Sequence, residues 1–248
     1  MIDKEIGIVK ELTKIFGIGP VRAQELYEKN GIESIDDLKR QPELLNEKQK
    51  IGLVYYADFE RRIPRVEMEK HETYIKNIVN KIHPNLLVQV MGSFRRGAKD
   101  SGDIDILITH KADPEHYASY FDELINTLKT EKYVVDVFAK GNKKFNGVCK
   151  LKRHKFNRRI DIMYTRRKEW AFALLYFTGD QAFNISMRKL ALDNGMSLNE
   201  YGLKYTDDEH KGEHVDANFL SEEDVFAYLG VKYVSPQDRN GRLAFVEE

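Results

Sequence analysis

The chain has 248 residues, 42% hydrophobic and 32% charged, with 40 Lys and Arg balanced by 40 Asp and Glu. That profile fits two or three compact units sharing a sizeable core. It excludes a helical membrane span, which needs about 18 uninterrupted apolar residues, and the acidic start MIDKEIGIVKEL lacks the apolar stretch of a secretory signal. The single Cys149 cannot form an internal disulfide, and no Cys/His cluster has zinc-ligand spacing. The expectation is a soluble protein of a reducing intracellular compartment with no membrane partner.

Along residues 3–60 the pattern is helical. Ile8, Leu12, Ile15 and Phe16 recur at helical spacing until Gly17-Ile18-Gly19-Pro20 interrupts them. Pro20 suits the first turn of a second helix, and Asn30-Gly31 its end. Ser34 can start a third helix, and Asn46 to Phe59 reads as a fourth. A long amphipathic helix follows Pro64 and ends before Pro84. The period then changes to that of strands at Leu86–Val90, Ile104–Thr109, Tyr133–Phe138, Phe145–Leu151 and Arg159–Tyr164, with a helix at Pro114–Lys129 between them. Helices return at Trp170–Phe177 and Gln181–Leu192, before a short, acidic, mixed tail with a last helix near Glu222–Leu229. These elements predict an α+β protein of three units: a helical one over 1–63, a sheet-bearing one over 64–167 and a C-terminal α/β one over 168–248.

Charge is segregated although it sums to zero. From Lys140 to Lys168 there are twelve Lys or Arg against one acid, Asp161; from Asn199 to Asp224 there are nine acids against two Lys. One face should therefore be positive, as a phosphate-backbone binder requires. Ser101-Gly102-Asp103-Ile104-Asp105-Ile106 carries the strongest chemical signal. Side chains two apart on a strand share a face, so Asp103 and Asp105 form paired carboxylates while Ile104 and Ile106 enter the core. Paired like charges call for a cation, and hard oxygen donors suit Mg²⁺. Asp161, in Arg159-Ile160-Asp161-Ile162, supplies a third carboxylate for two ions about 4 Å apart if its strand neighbours the first. An Asp-x-Asp alone is common on surface strands and in glycosyltransferases. Gly92-Ser93 some ten residues upstream, followed by Phe94-Arg95-Arg96-Gly97, adds a place for a triphosphate. The predicted reaction is attack of a hydroxyl on an α-phosphate with pyrophosphate leaving. The Gly17-Ile18-Gly19 hairpin offers backbone N–H groups to a nucleic-acid phosphate. Tyr176-Phe177-Thr178-Gly179, with Asn184 and Arg188 beyond it, offers a wall against a sugar and base or, equally, core packing.

From LTKIFGIGP through MGSFRRGAKDSGDIDILITH, KFNGVCKL, RRIDI, LYFTG and NEYGL to PQDR, the chain resembles the beta-like family X DNA polymerases. The resemblance implies a helix-hairpin-helix thumb, a catalytic palm and a third unit that closes over the nascent base pair. It implies two Mg²⁺, or Mn²⁺ in their place, on Asp103, Asp105 and Asp161. Triphosphate contacts would come from Arg62, Ser93, Arg96, Ser101 and Gly102. Tyr176, Phe177 and Gly179 would face the sugar, Asn184 the incoming base and Arg188 the templating strand. Lys144 and Arg159 would touch DNA near the primer end, and the carbonyls of Thr13, Ile15 and Ile18 would hold Na⁺ or K⁺ at the hairpin. Gapped or primer-template DNA and dNTPs are the implied partners of a monomeric repair enzyme, nuclear in a eukaryote. The alternatives are template-independent or other nucleotidyl transfer, and a DNA-binding module with a dead site. Three departures stand out. The lyase domain that opens beta-type members has no counterpart before the hairpin, so polymerase activity without lyase activity is expected. Met163 stands where the vertebrate enzyme has an Arg that pairs with a metal-binding Asp, and Gln181 replaces an Asp over the incoming base.

Overall fold

The computed structural model describes residues 2–241; residues 242–248, the end of the expected C-terminal unit, lie outside them. Helices α1 (Ile2–Leu12), α2 (Pro20–Asn30), α3 (Ile35–Arg40) and α4 (Glu47–Phe59) form the first unit. Local chemistry sets their ends. Pro20 opens α2, and Gly31, at φ 65°, closes it in the left-handed conformation. The Ser34 side chain accepts from the Asp37 N–H at the start of α3, and Asn46 with Gln49 makes a capping box at α4. The helices converge on Leu12, Ile15, Ile18, Leu26, Ile32 and Leu38, all buried. Gly52 lets α4 come close to the turn after α1: a Cβ there would lie 2.1 Å from the Phe16 carbonyl oxygen.

Strand β1 (Ile63–Pro64) leads into α5 (Arg65–Ile82), β2 (Leu86–Val90), the single turn α6 (Gly92–Arg95), β3 (Asp100–Ser101) and β4 (Ile104–His110). Helix α7 (Tyr117–Thr130) and strands β5 (Val134–Lys140), β6 (Lys144–Cys149) and β7 (Arg158–Tyr164) complete the sheet. Its order is β2-β4-β7-β6-β5, and β1 pairs separately with β3. Every neighbouring pair in the five-stranded sheet is antiparallel except β4 and β7, which run parallel with Asp105 beside Asp161. One face is sealed by α5 and α7, whose Met68, Ile75, Val79, Phe121 and Leu124 meet Ile104, Ile106, Ile160 and Ile162. Ile104 and Ile106 are thus in the core, as the alternation requires.

The third unit comprises α8 (Trp170–Thr178), α9 (Gln181–Asp193), the hairpin β8 (Met196–Asn199) with β9 (Gly202–Tyr205), and α10 (Glu222–Tyr228). Helix α8 lies on the other face of the sheet, where Ala173, Leu174 and Phe177 meet Met91, Leu107 and Met163. The architecture is α+β. The β8–β9 hairpin and the β1–β3 ribbon were not expected. Two- and four-residue strands carry too few alternating positions to stand out, and β8–β9 borders a charged stretch. Helix α7 starts at Tyr117 rather than Pro114, because residues 114–116 form a turn whose Pro114 carbonyl accepts from Tyr117.

A buried ion pair within the second unit, Arg158 with Glu67, also holds the end of the first through the Arg61 carbonyl. Arg158, 3% exposed, gives Nε and Nη2 to Glu67 at 2.7 and 2.9 Å and Nη1 to the Arg61 carbonyl at 2.9 Å. Burial, the largest single influence on Glu67, pushes its carboxyl up, but hydrogen bonds and charge from His71 and Arg158 outweigh it and hold it near 2. A carboxyl held below its ordinary value of 4.5 stabilises the fold above that pH and loses the contribution as pH falls towards 2. Glu67→Gln leaves Arg158 buried without its counter-charge and should cost about 3 kcal/mol at pH 7. Urea unfolding from pH 7 to pH 3 checks this: the gap between wild type and variant should shrink below pH 4.5, and a pH-independent gap would refute the ion-pair assignment.

Candidate active site

Parallel pairing brings the carboxylates together. Asp105 and Asp161 occupy facing positions on β4 and β7, and Asp103 lies one residue before β4. Oxygens of the three lie within 4.8 Å of one another, the one such group of three potential ligands among the described residues. Burial, first, and then the charge of Asp161 push the Asp105 carboxyl up to about 6, against a downward pull from Arg96. Such a set repels itself and fits a hard divalent cation. On the next strand, Asn146 pairs in register with Asp161, and its Nδ2 donates to Asp161 Oδ1 at 2.6 Å. Asn146 was not singled out from the sequence; its partnership follows from strand register, which no local motif displays.

The Gly-Ser turn abuts the trio. Gly92 has φ 57°, and a Cβ there would lie 2.5 Å from Asp105 Oδ2, so both conformation and space demand glycine. Ser93 Oγ donates to Ser101 Oγ at 2.9 Å, tying the turn to the segment that carries Asp103. Arg62 bonds the Asp100 carboxylate and carbonyl and comes within 3.0 Å of a Cβ at Gly102. Arg96 donates to the Thr178 carbonyl at 2.5 Å, beside Gly179. All five residues expected to contact a triphosphate, Arg62, Ser93, Arg96, Ser101 and Gly102, therefore gather next to the carboxylates. Phe177 and Lys144 line a cavity of about 210 Å³ that also contains Asp105, Asn146 and Asp161.

Tyr176, Asn184 and Arg188 make a separate niche on α8 and α9. Asn184 Nδ2 donates to the Tyr176 carbonyl at 2.8 Å, and the Arg188 guanidinium lies 5.1 Å from the centre of the Tyr176 ring. Gln181 is exposed at the start of α9, and Met163 is buried against Met91, Leu107 and Ala173, so neither contributes a charge to the site. Arg95, read in the sequence only as part of the Phe94-Arg95-Arg96-Gly97 turn, is gripped by Glu222 at 2.6 Å, and Glu222 is gripped in turn by the fully buried Arg239 at 2.6 Å. This chain ties the C-terminal unit to the turn beside Ser93 across 127 residues of sequence, a separation that hides it from inspection.

The hairpin faces the trio across a groove of about 620 Å³ lined by Thr13, Gly17, Gly19, Gly102, Asp103 and Arg159, among others. Gly17 turns the chain at φ 93°; Gly19 is extended and has open space where a Cβ would stand. The side chains of Ile15 and Ile18 are buried, leaving their main chain for any ligand, and the Ile15 carbonyl already accepts from Ile18 N–H at 3.0 Å. Arg159 reaches across to Asp103.

Comparison with known families gives three matches in succession: "Fingers domain of DNA polymerase lambda" over residues 10–60, "DNA polymerase beta palm" over 62–167 and "DNA polymerase beta thumb" over 173–240. The word thumb is attached there to the C-terminal unit, not to the hairpin unit as above. The chain is 35% identical to DNA polymerase lambda of Rattus norvegicus, with 96% of this chain and 43% of that protein aligned. It is 28% identical to DNA polymerase lambda of Arabidopsis thaliana, over 96% of this chain and 47% of that one. The chain thus spans less than half the length of these relatives. With three consecutive matches and the carboxylate site in the middle one, the chain belongs to the beta-like family X DNA polymerases.

Proposed function

We propose that this chain adds deoxynucleotides to a primer 3′-OH under the direction of a template, filling short gaps during DNA repair. The observation that carries the reading is the Asp103–Asp105–Asp161 trio, with Gly92 pressed against Asp105 and Ser93 tied to Ser101. In this reading residues 1–63 grip the DNA backbone, 64–167 carry the chemistry and 168–248 close over the nascent base pair. Two Mg²⁺ (or Mn²⁺) on the three carboxylates would supply Lewis acidity, favouring the deprotonated 3′-hydroxyl and neutralising the triphosphate.

The protein groups divide the remaining work. Arg62, Arg96, Ser93, Ser101 and the Gly102 backbone bind and orient the triphosphate. Asn146 fixes the orientation of Asp161 through their hydrogen bond. Tyr176, Phe177 and Gly179 lie against the sugar, Asn184 against the incoming base and Arg188, whose guanidinium is 5.1 Å from the centre of the Tyr176 ring, against the templating strand. Lys144 holds DNA near the primer end. Gly17 and Gly19 let a phosphate approach, and the carbonyls of Thr13, Ile15 and Ile18 would hold a Na⁺ or K⁺, whose positive charge would favour a phosphate there. A single copy contains every group named here, in keeping with a monomer.

Primer extension on gapped DNA, with and without template, tests the assignment. Incorporation should require template and a divalent cation. Asp161→Ala should lower the rate by more than about a hundredfold, since each 1.36 kcal/mol of lost barrier reduction is a factor of ten, while DNA affinity stays close to wild type. A variant that kept more than about a hundredth of the rate would refute the three-carboxylate assignment.

Backbone binding carries a second signature. Each neutralised phosphate steepens the fall of log affinity with log salt by about 0.9. Titrations between 50 and 200 mM salt should therefore show a steep line, and charge reversal at Lys144 should weaken binding equally for unrelated sequences. A flat line would exclude phosphate-dominated binding.

A further inference from the structure

Arg159 stands two residues before Asp161 on β7 and so projects from the same face of the sheet. Its guanidinium contacts Asp103 Oδ2 and lies 5.0 Å from the centre of the Phe16 ring in the hairpin. Its Nε is buried and has no hydrogen-bond partner among the described residues. The guanidinium thus spans the groove between hairpin and trio, both of whose walls it touches. On Asp103 it supplies the positive charge that a divalent cation would otherwise supply. A guanidinium and a divalent cation repel each other at contact distance, so they cannot share that carboxylate without cost. Once displaced, the side chain keeps its aromatic platform and, with five donors of fixed geometry and one already free, suits a phosphate oxygen in the groove.

We propose that Arg159 is a two-position residue: it pairs with Asp103 when the trio holds no divalent cation and turns to a nucleic-acid phosphate when the trio is loaded. Divalent-cation binding and nucleic-acid binding then favour each other, because both are opposed by the same internal ion pair. Linkage makes the coupling reciprocal. It rests on the reading of the trio as a metal site, and it makes Arg159 a positioning residue. The pair is only partly buried, with Arg159 32% and Asp103 24% exposed, which sets the coupling at the low end of the usual range, about fivefold.

Mn²⁺ binding to the DNA-free protein, read by electron paramagnetic resonance, tests this without turnover. Arg159→Gln should bind Mn²⁺ about fivefold more tightly than wild type. Lys48→Gln serves as the control: Lys48 lies 5.0 Å from the same Phe16 ring, but it makes no ion pair with Asp103, and its loss should change affinity less than twofold. In parallel, the Arg159 Nε–H signal in side-chain NMR should shift alike on adding Mg²⁺ and on Asp103→Asn. Equal Mn²⁺ affinity in wild type and Arg159→Gln, or an equal gain in Lys48→Gln, overturns the proposal while Asp105→Asn still abolishes binding. If Asp105→Asn leaves Mn²⁺ binding unchanged, the trio is not the metal site, and both readings fall.

Discussion

The parallel contact between β4 and β7 is the constraint from which the site follows. Antiparallel neighbours can be joined by a tight turn, but a parallel pair needs a long crossover. Here that crossover contains α7, β5 and β6. It returns the chain so that β4 and β7 begin at the same end of the sheet, with Asp105 and Asp161 in one row. Placing two carboxylates side by side is unfavourable in itself. The surroundings offset it piecemeal: Asn146 donates to one, Arg96 acts on another, and Arg159 covers the third. The region is thus tense in the electrostatic sense while the opposite face of the same strands is an ordinary aliphatic core.

The walls of the site are held from a distance. Gly92 can lie on Asp105 only because it lacks a side chain, and the turn it belongs to is fixed by Ser93 on one side and by Arg95 on the other. Arg95 depends on Glu222, and Glu222 on Arg239, which is enclosed by the rings of Phe183, Phe226 and Tyr233. The C-terminal unit therefore bears on the turn beside the carboxylates through charge as well as through α8. The N-terminal unit bears on them through Phe16 and Arg159.

Much of this was readable in the linear chain where a signal is local. Alternation puts Asp103 and Asp105 on one face; Pro20, Gly31, Ser34 and Asn46 mark helix ends by their own chemistry; Gly17 announces a turn that its φ of 93° bears out. What remained hidden depends on pairing between distant segments. Asn146 looks like any polar strand residue until the β6–β7 register sets it opposite Asp161. Glu222 reads as one acid in an acidic stretch, although it is 3% exposed and bonded to two arginines. Strands β8 and β9 escaped because four residues each give two alternations at most. Tyr176 and Phe177, adjacent in sequence, part company in space, since neighbours on a helix point about 100° apart: one faces the carboxylate cavity and the other Arg188.

Adjacent arginines on β7 illustrate how strand geometry restricts change in chain length. Arg158 points into the core, where Glu67 holds it, and Arg159 points out to Asp103. Inserting or deleting one residue within β7 would flip the residues on one side of the change, either burying Arg159 without a counter-charge or removing Asp161 from its row. The strand is closed to such events at every position from Arg158 to Asp161. The connection before it, residues 150–157, is different: Lys152, Arg153 and Lys155 are exposed, and added or lost residues there leave the register of β6 and β7 untouched. A change of length made in this basic loop would alter the distribution of positive charge and spare the carboxylates.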